Sequence, residues 1–152
     1  MEYIDIYRML DENRSLEIQK QGIELAREMK EFDKFILPIS PEYSKNVWLN
    51  CAKIIDEKTD QELVPYLSKV LEWLQDLNWP GTFIIIERLK RFNGQLLLKP
   101  FIEAMEKACG KNSEDQEWAS YLAILIENEE LAQILPDEIS LQAHKLYNDF
   151  WS

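Results

Sequence analysis

Apolar residues recur at steps of three and four along most of the chain, with only short polar breaks between the runs. That period lays one apolar stripe along an α-helix, so the pattern favours helices over strands. Residues 2–10 read as a short first helix, with Ile4, Tyr7, Met9 and Leu10 apolar. Ser15 is placed to cap a second helix running to about residue 30. Phe32, Phe35, Ile36 and Leu37 form an apolar knot closed by Pro38 and Pro41, which exclude regular helix there. Pro41 opens a third helix, whose wide stripe is Tyr43, Val47, Trp48, Cys51, Ala52, Ile54 and Ile55. Thr59 and Glu62 have capping-box spacing, so a fourth helix starts near Asp60. Pro65 either kinks its first turns or marks its true start, and Leu67, Val70, Leu71 and Leu74 continue the stripe.

That stripe ends at a corner, Trp73-Leu74-Gln75-Asp76-Leu77-Asn78-Trp79-Pro80-Gly81. Asn78 can cap, Pro80 presets a first-turn φ, and Gly81 lets another backbone approach. Asp76 is expected to accept hydrogen bonds from the free N–H groups of the helix that follows. Trp73, Asp76, Asn78, Trp79, Pro80 and Gly81 are therefore read as a structural corner first. Residues 83–92 form the fifth helix, stopped by Asn93-Gly94. The sixth covers 96–109, with Pro100 early and Gly110 as its stop. Ser113 and Gln116 again have capping-box spacing, ahead of Trp118, Tyr121, Leu122, Ile124 and Leu125. Asn128-Glu129-Glu130 starts a short helix that ends before Pro136, and 139–150 is the last, with Trp151 a packed terminal residue.

The third, fifth and seventh helices repeat by number. Trp48, Phe83 and Trp118 lie 35 apart, as do Cys51, Ile86 and Tyr121, and Ile54, Leu89 and Ile124. Pro65-Tyr66-Leu67 matches Pro100-Phe101-Ile102 at the same interval. A period near 35 with two helices per unit predicts an all-α chain, a short α-α superhelix (a HEAT/ARM-like solenoid) of about eight helices. One domain, 1–152, is expected: an N-terminal cap over 1–40, repeats over 41–136 and a C-terminal cap helix over 137–152.

The corner with its flanks, through Asp115-Gln116-Glu117-Trp118, resembles an uncharacterised bacterial family of small HEAT-like proteins. The resemblance covers roughly 62–127, and its specific part is Asp76 to Gly81. It implies the helical fold and no catalytic residue. It also implies an immunity protein as one reading, since small acidic families of this kind are sometimes assigned to toxin–immunity systems.

Composition narrows the function. With 17 basic and 28 acidic residues the formal charge is −11, which repels nucleic-acid phosphates. That argues against a HEAT-like DNA-repair enzyme, which needs a basic concave face. The 46% hydrophobic content is ordinary for a globular domain, and no apolar run reaches the length of a membrane span. The amino-terminal residues are acidic and mixed, unlike a signal peptide, so a cytoplasmic protein is expected. Cys51 and Cys109 read as buried free thiols, and His144, the sole histidine, reads as a helix-surface residue. No Walker, Rossmann, His-Glu-x-x-His or Gly-x-Ser-x-Gly pattern occurs, so no catalytic residue, metal or cofactor is expected.

The acids are unevenly placed. Between 112 and 138 lie Glu114, Asp115, Glu117, Glu127, Glu129, Glu130, Asp137 and Glu138, with no Lys or Arg. Several sit at helix starts, where the macrodipole favours them. Together they could also steer a basic partner. Glu114, Asp115, Glu117, Glu127, Glu129 and Glu130 are therefore the candidate partner-binding residues. The expected function is a non-enzymatic protein-binding module, most concretely an immunity protein facing a basic toxin domain. The alternative is a small-molecule-binding or regulatory enzyme subunit, signalled by a drug-sized pocket near Trp79.

Overall fold

Three local devices start helices early in the chain, Ser15 and Thr59 where the sequence places them, and extended Ser44 later than the expected opening at Pro41. The Ser15 hydroxyl accepts from the Ile18 N–H at 3.2 Å and begins α2 (Leu16–Arg27), which follows α1 (Tyr3–Leu10). Thr59 and Glu62 form a reciprocal capping box at α4 (Asp60–Leu63). Ser44 caps a single 3-10 turn, Lys45–Val47, which leads into α3 (Trp48–Asp56). The computed structural model describes residues 2–39, 44–110 and 113–152, the side chains of 113–115 excepted. The expected helix start at Pro41 with Tyr43, and the Ser113 capping box, lie outside what is described.

Past α4 the chain departs from one continuous helix. Pro65 has no N–H to donate, and the backbone tightens into a 3-10 turn, Val64–Tyr66, before α5 (Leu67–Glu72). A second such turn, Trp73–Gln75, brings it to the corner. Then come α6 (Thr82–Lys90), α7 (Gly94–Ala108), α8 (Ser113–Leu122), a 3-10 continuation Ala123–Glu127, α9 (Glu129–Ile134) and α10 (Asp137–Phe150). No strand occurs among the described residues. No helix there is long and apolar enough to cross a membrane. α7 runs through Pro100 without a break. Its buried stripe of Leu97, Phe101, Ala104, Met105 and Ala108 packs against α5, α8 and α9, and that burial outweighs the lost N–H.

The helices pack like with like. In one row α3 lies against α6, and α6 against the Ala123–Glu127 turn; in the other α5 lies against α7, and α7 against α9. Ile54, Leu89 and Ile124 are all buried in the core, as their spacing predicts. The Trp48 column does not hold. Trp48 and Trp118 are buried, whereas Phe83 is 55% exposed. α6 begins one residue earlier than expected, and Thr82 takes the inward position that Phe83 was assigned.

The turns between paired helices are latched to one another by side chains. Arg88, itself buried, donates to Lys58 O at 2.9 Å and to Asp60 Oδ1 at 2.6 Å. The other oxygen of Asp60 accepts from the Asn93 N–H. Glu130 accepts from the Gly94 and Gln95 N–H groups. Asn93 and Gly94 thus do not stop the fifth helix but start the next. Asn93 caps Leu96 N–H at 3.1 Å, and a Cβ on Gly94 would stand 2.5 Å from Leu131 N. Asn128 does more, since it accepts from Leu131 N–H and donates to both Leu89 O and Phe92 O. The caps Asn93 and Asn128 lie 35 apart, a recurrence the apolar columns did not reveal.

The two asparagines are expected to differ in weight. Asn93 is exposed, and Asn93→Ala is expected to cost about 1 kcal/mol, the usual value of a cap. Asn128 is buried, and Asn128→Ala also strands two carbonyls, for about 2–3 kcal/mol in urea unfolding. Equal costs for the two would remove the latch reading.

At the amino terminus α1 and α2 pair and α2 meets α3. Tyr3 and Tyr7 donate to Glu31 O and Lys34 O and set their rings against Phe35. Buried Asn50 donates to Leu10 O and Gln19 Oε1, joining all three helices.

Candidate functional site

The corner is held by its own backbone and by Thr82. The Asp76 carboxylate accepts from Asn78 N–H at 2.8 Å, two residues on, and the Trp79 N–H returns to Asp76 O. Asp76 therefore closes an Asx turn and does not reach the helix that follows. Asn78 does not cap either: the residue before α6 is Gly81, in the left-handed region at φ 86°. The Thr82 hydroxyl lies within 2.9 to 3.4 Å of Asp76 O, Trp79 O and Trp73 O, and its one proton ties the turn to the helix.

Trp73 is fully buried, and its indole N–H donates to Pro80 O at 3.1 Å. Trp48 packs edge-on against Trp73 (ring centroids 6.0 Å apart) and against half-buried Trp79 (5.4 Å, interplanar 86°). The Trp48 N–H reaches Pro38 O at 2.7 Å, which draws the 37–39 segment over the corner. Leu37 there adopts φ 46°, a left-handed conformation that costs a side-chain-bearing residue energy and tends to persist at functional sites.

These contacts leave a cleft of about 500 Å3 beside Trp79. Leu37, Pro38 and Ile39 form one wall, and Trp48 and Trp79 the floor. Lys45, Lys69 and Glu72 stand at the rim. The Lys45 ammonium sits 5.2 Å from both indole centroids. The corner residues were legible as a cluster in the sequence. Lys45, Trp48 and the 37–39 wall were not joined to it, because the helix pattern counted Trp48 only as core. Two aromatics separated by a helix pair and a turn give no local signal.

The acidic candidates divide. Glu127 pairs with Lys90 at 3.0 Å and accepts from the Tyr147 hydroxyl at 2.7 Å. The Tyr147 hydroxyl, opposed by burial and helped by Lys90, holds the Glu127 carboxyl below the ordinary range. Glu130 is occupied by the α7 N-terminus. Both acids fasten the chain to itself. Glu117 and Glu129 project to solvent, and the side chains of Glu114 and Asp115 lie outside the described residues.

Cys51 is fully buried, and burial pushes its thiol up. Cys109 is half-buried, not core as expected: it ends α7, where its sulfur accepts from Gln142 Nε2 at 3.0 Å. His144 is exposed, with Nδ1 2.8 Å from Ser140 O one turn back. Among the described residues no three His, Cys, Asp or Glu side chains converge as metal donors.

Comparison with known proteins adds one finding. Neither a curated protein nor a solved structure matches the chain. Residues 49–144 match a family described as Domain of unknown function (DUF5071), a span that takes in the corner, both helix rows and most of α10. The chain belongs to this uncharacterised family.

Proposed function

We propose that the protein is a non-enzymatic helical-repeat module, a short HEAT-like stack, that binds a basic protein partner in the cytoplasm. The observation that supports it is the packing of like helices on like, with the asparagine caps recurring at 35 residues. Such stacks present a continuous surface to other proteins. The span 112–138 has no basic residue, and Glu117 and Glu129 point outward from it. A one-signed surface speeds encounter with an oppositely charged partner. The most concrete form is an immunity protein neutralising a cognate bacterial toxin.

The test is direct binding to the toxin-like domain of a large secreted protein encoded immediately upstream. Association is expected to slow with added salt. Glu117→Lys with Glu129→Lys is expected to slow it at least tenfold at low salt. Glu127 and Glu130 stay untouched, since changing them would loosen the fold. Unaltered association in the double variant would sink the electrostatic reading.

A second reading, small-molecule binding, is favoured by the cleft beside Trp79. Its volume of about 500 Å3 falls within the roughly 300–1,000 Å3 of ligand pockets.

A further inference from the structure

We propose that the cleft between Trp48, Trp79 and the 37–39 wall is a binding site for a small amphipathic anion: an apolar or aromatic body carrying one carboxylate. The inference rests on the small-molecule reading of the cleft and adds the chemistry of its occupant.

The floor supplies the first half of the specificity. Trp79 is half-buried and offers its ring to a flat or chain-like body, while Trp48, 5% exposed and at 86° to it, backs that ring and adds only its uncovered edge. Leu37, Pro38 and Ile39 close the side with apolar surface. Ile39 is 92% exposed, the largest exposure of any large apolar residue described, and stands at the mouth. The wall is not slack, because the Trp48 N–H holds Pro38 O and Leu37 keeps its left-handed backbone directly before that proline.

Charge supplies the second half. Two ammonium groups, Lys45 and Lys69, share the rim with one carboxylate, Glu72, so the cleft is locally positive in a chain of net charge −11. The distant acids do not cancel this, since exposed charges beyond about 8 Å are largely screened at physiological salt. Lys69 spends one proton on a long contact, 3.4 Å to Asp33 O, and keeps others for a ligand. Lys45 rests over both indoles, and in an exposed site that cation–π contact is weak. An incoming apolar body displaces the ammonium from the ring faces while its carboxylate pairs with it. A cationic body would have to remove Lys45 and then face Lys69.

The experiment is an NMR titration that follows the indole N–H signals of the intact chain. The probes are decanoate and decyltrimethylammonium, which share a tail and differ in charge. Decanoate is expected to shift Trp48 and Trp79. Trp118 and Trp151, which do not line the cleft, are expected to stay. In Lys45→Gln with Lys69→Gln, decanoate affinity is expected to fall roughly tenfold with an unchanged urea curve, as charge-assisted contacts are lost at the surface. If decyltrimethylammonium binds as tightly as decanoate, or the lysine variant binds decanoate normally, the anion assignment is overturned and the cleft remains a site. If neither probe shifts Trp79, the small-molecule reading falls with it.

Discussion

Replacing Gly81 by valine is expected to destabilise the protein by roughly 3–5 kcal/mol and to lower its Tm by about 10 °C. Two independent costs add. Gly81 sits at φ 86°, where a side-chain-bearing residue loses about 1–2 kcal/mol and a β-branched one more. A Cβ there would also stand 2.5 Å from Ala52 Cβ and 3.2 Å from Trp48 O, closer than packed atoms tolerate. Relief of such an overlap costs about 1–3 kcal/mol in displaced neighbours. The two terms separate in a cycle. Ala52→Gly removes the Cβ–Cβ overlap and leaves φ unchanged, so Gly81→Ala in that background retains the backbone cost and the milder 3.2 Å approach to Trp48 O. Urea unfolding of the four proteins measures both. A Gly81→Val variant within 0.5 kcal/mol of the parent would mean that the corner is not packed against α3 as described.

The same corner shows what a sequence can and cannot disclose about this chain. Ser15 and the Thr59–Glu62 box were legible because a cap is a local chemical rule: the acceptor and its N–H lie three residues apart. The Ile54, Leu89 and Ile124 column was legible because burial repeats with the helix. Phe83 failed the same test, since it and Thr82 stand three and four residues before buried Ile86, at the two edges of one stripe, and with α6 beginning at Thr82 the inward place goes to Thr82. Asn93-Gly94 has the composition of a helix stop, although the same dipeptide can start a helix when distant groups meet it; Asp60 and Glu130 do so from the turns on either side. Asp76 and Asn78 were expected to serve α6, and they serve each other. Glu127 and Glu130 looked like free surface charge because Lys90, Tyr147 and the α7 N-terminus are far away in sequence. The cleft was half visible. Trp79 announced itself, but Leu37 and Lys45 lie off the helix stripes, where no periodicity points to them.

Trp73→Ala is expected to be the other severe change, at about 3–5 kcal/mol, while Trp79→Ala is expected to cost about 1–2 kcal/mol. The two rings are six residues apart and both touch Trp48, yet their burial differs. Trp73 is wholly enclosed, so truncation leaves a cavity that its neighbours cannot fill, and Pro80 O loses its donor. Trp79 is half-buried, so water can replace much of what it covers. Trp73→Phe divides the first cost: it keeps an aromatic ring against Trp48 and gives up the hydrogen bond and part of the volume, for about 1–2 kcal/mol. Stability and binding are then expected to diverge. Trp79→Ala removes half the floor of the cleft from a protein that still folds, so decanoate affinity falls far more than the urea midpoint. Trp73→Ala releases Trp48, and through its N–H the Pro38 wall, so midpoint and affinity fall together. A Trp79→Ala variant that lost as much stability as Trp73→Ala would place Trp79 in the core and leave the cleft without a floor of its own.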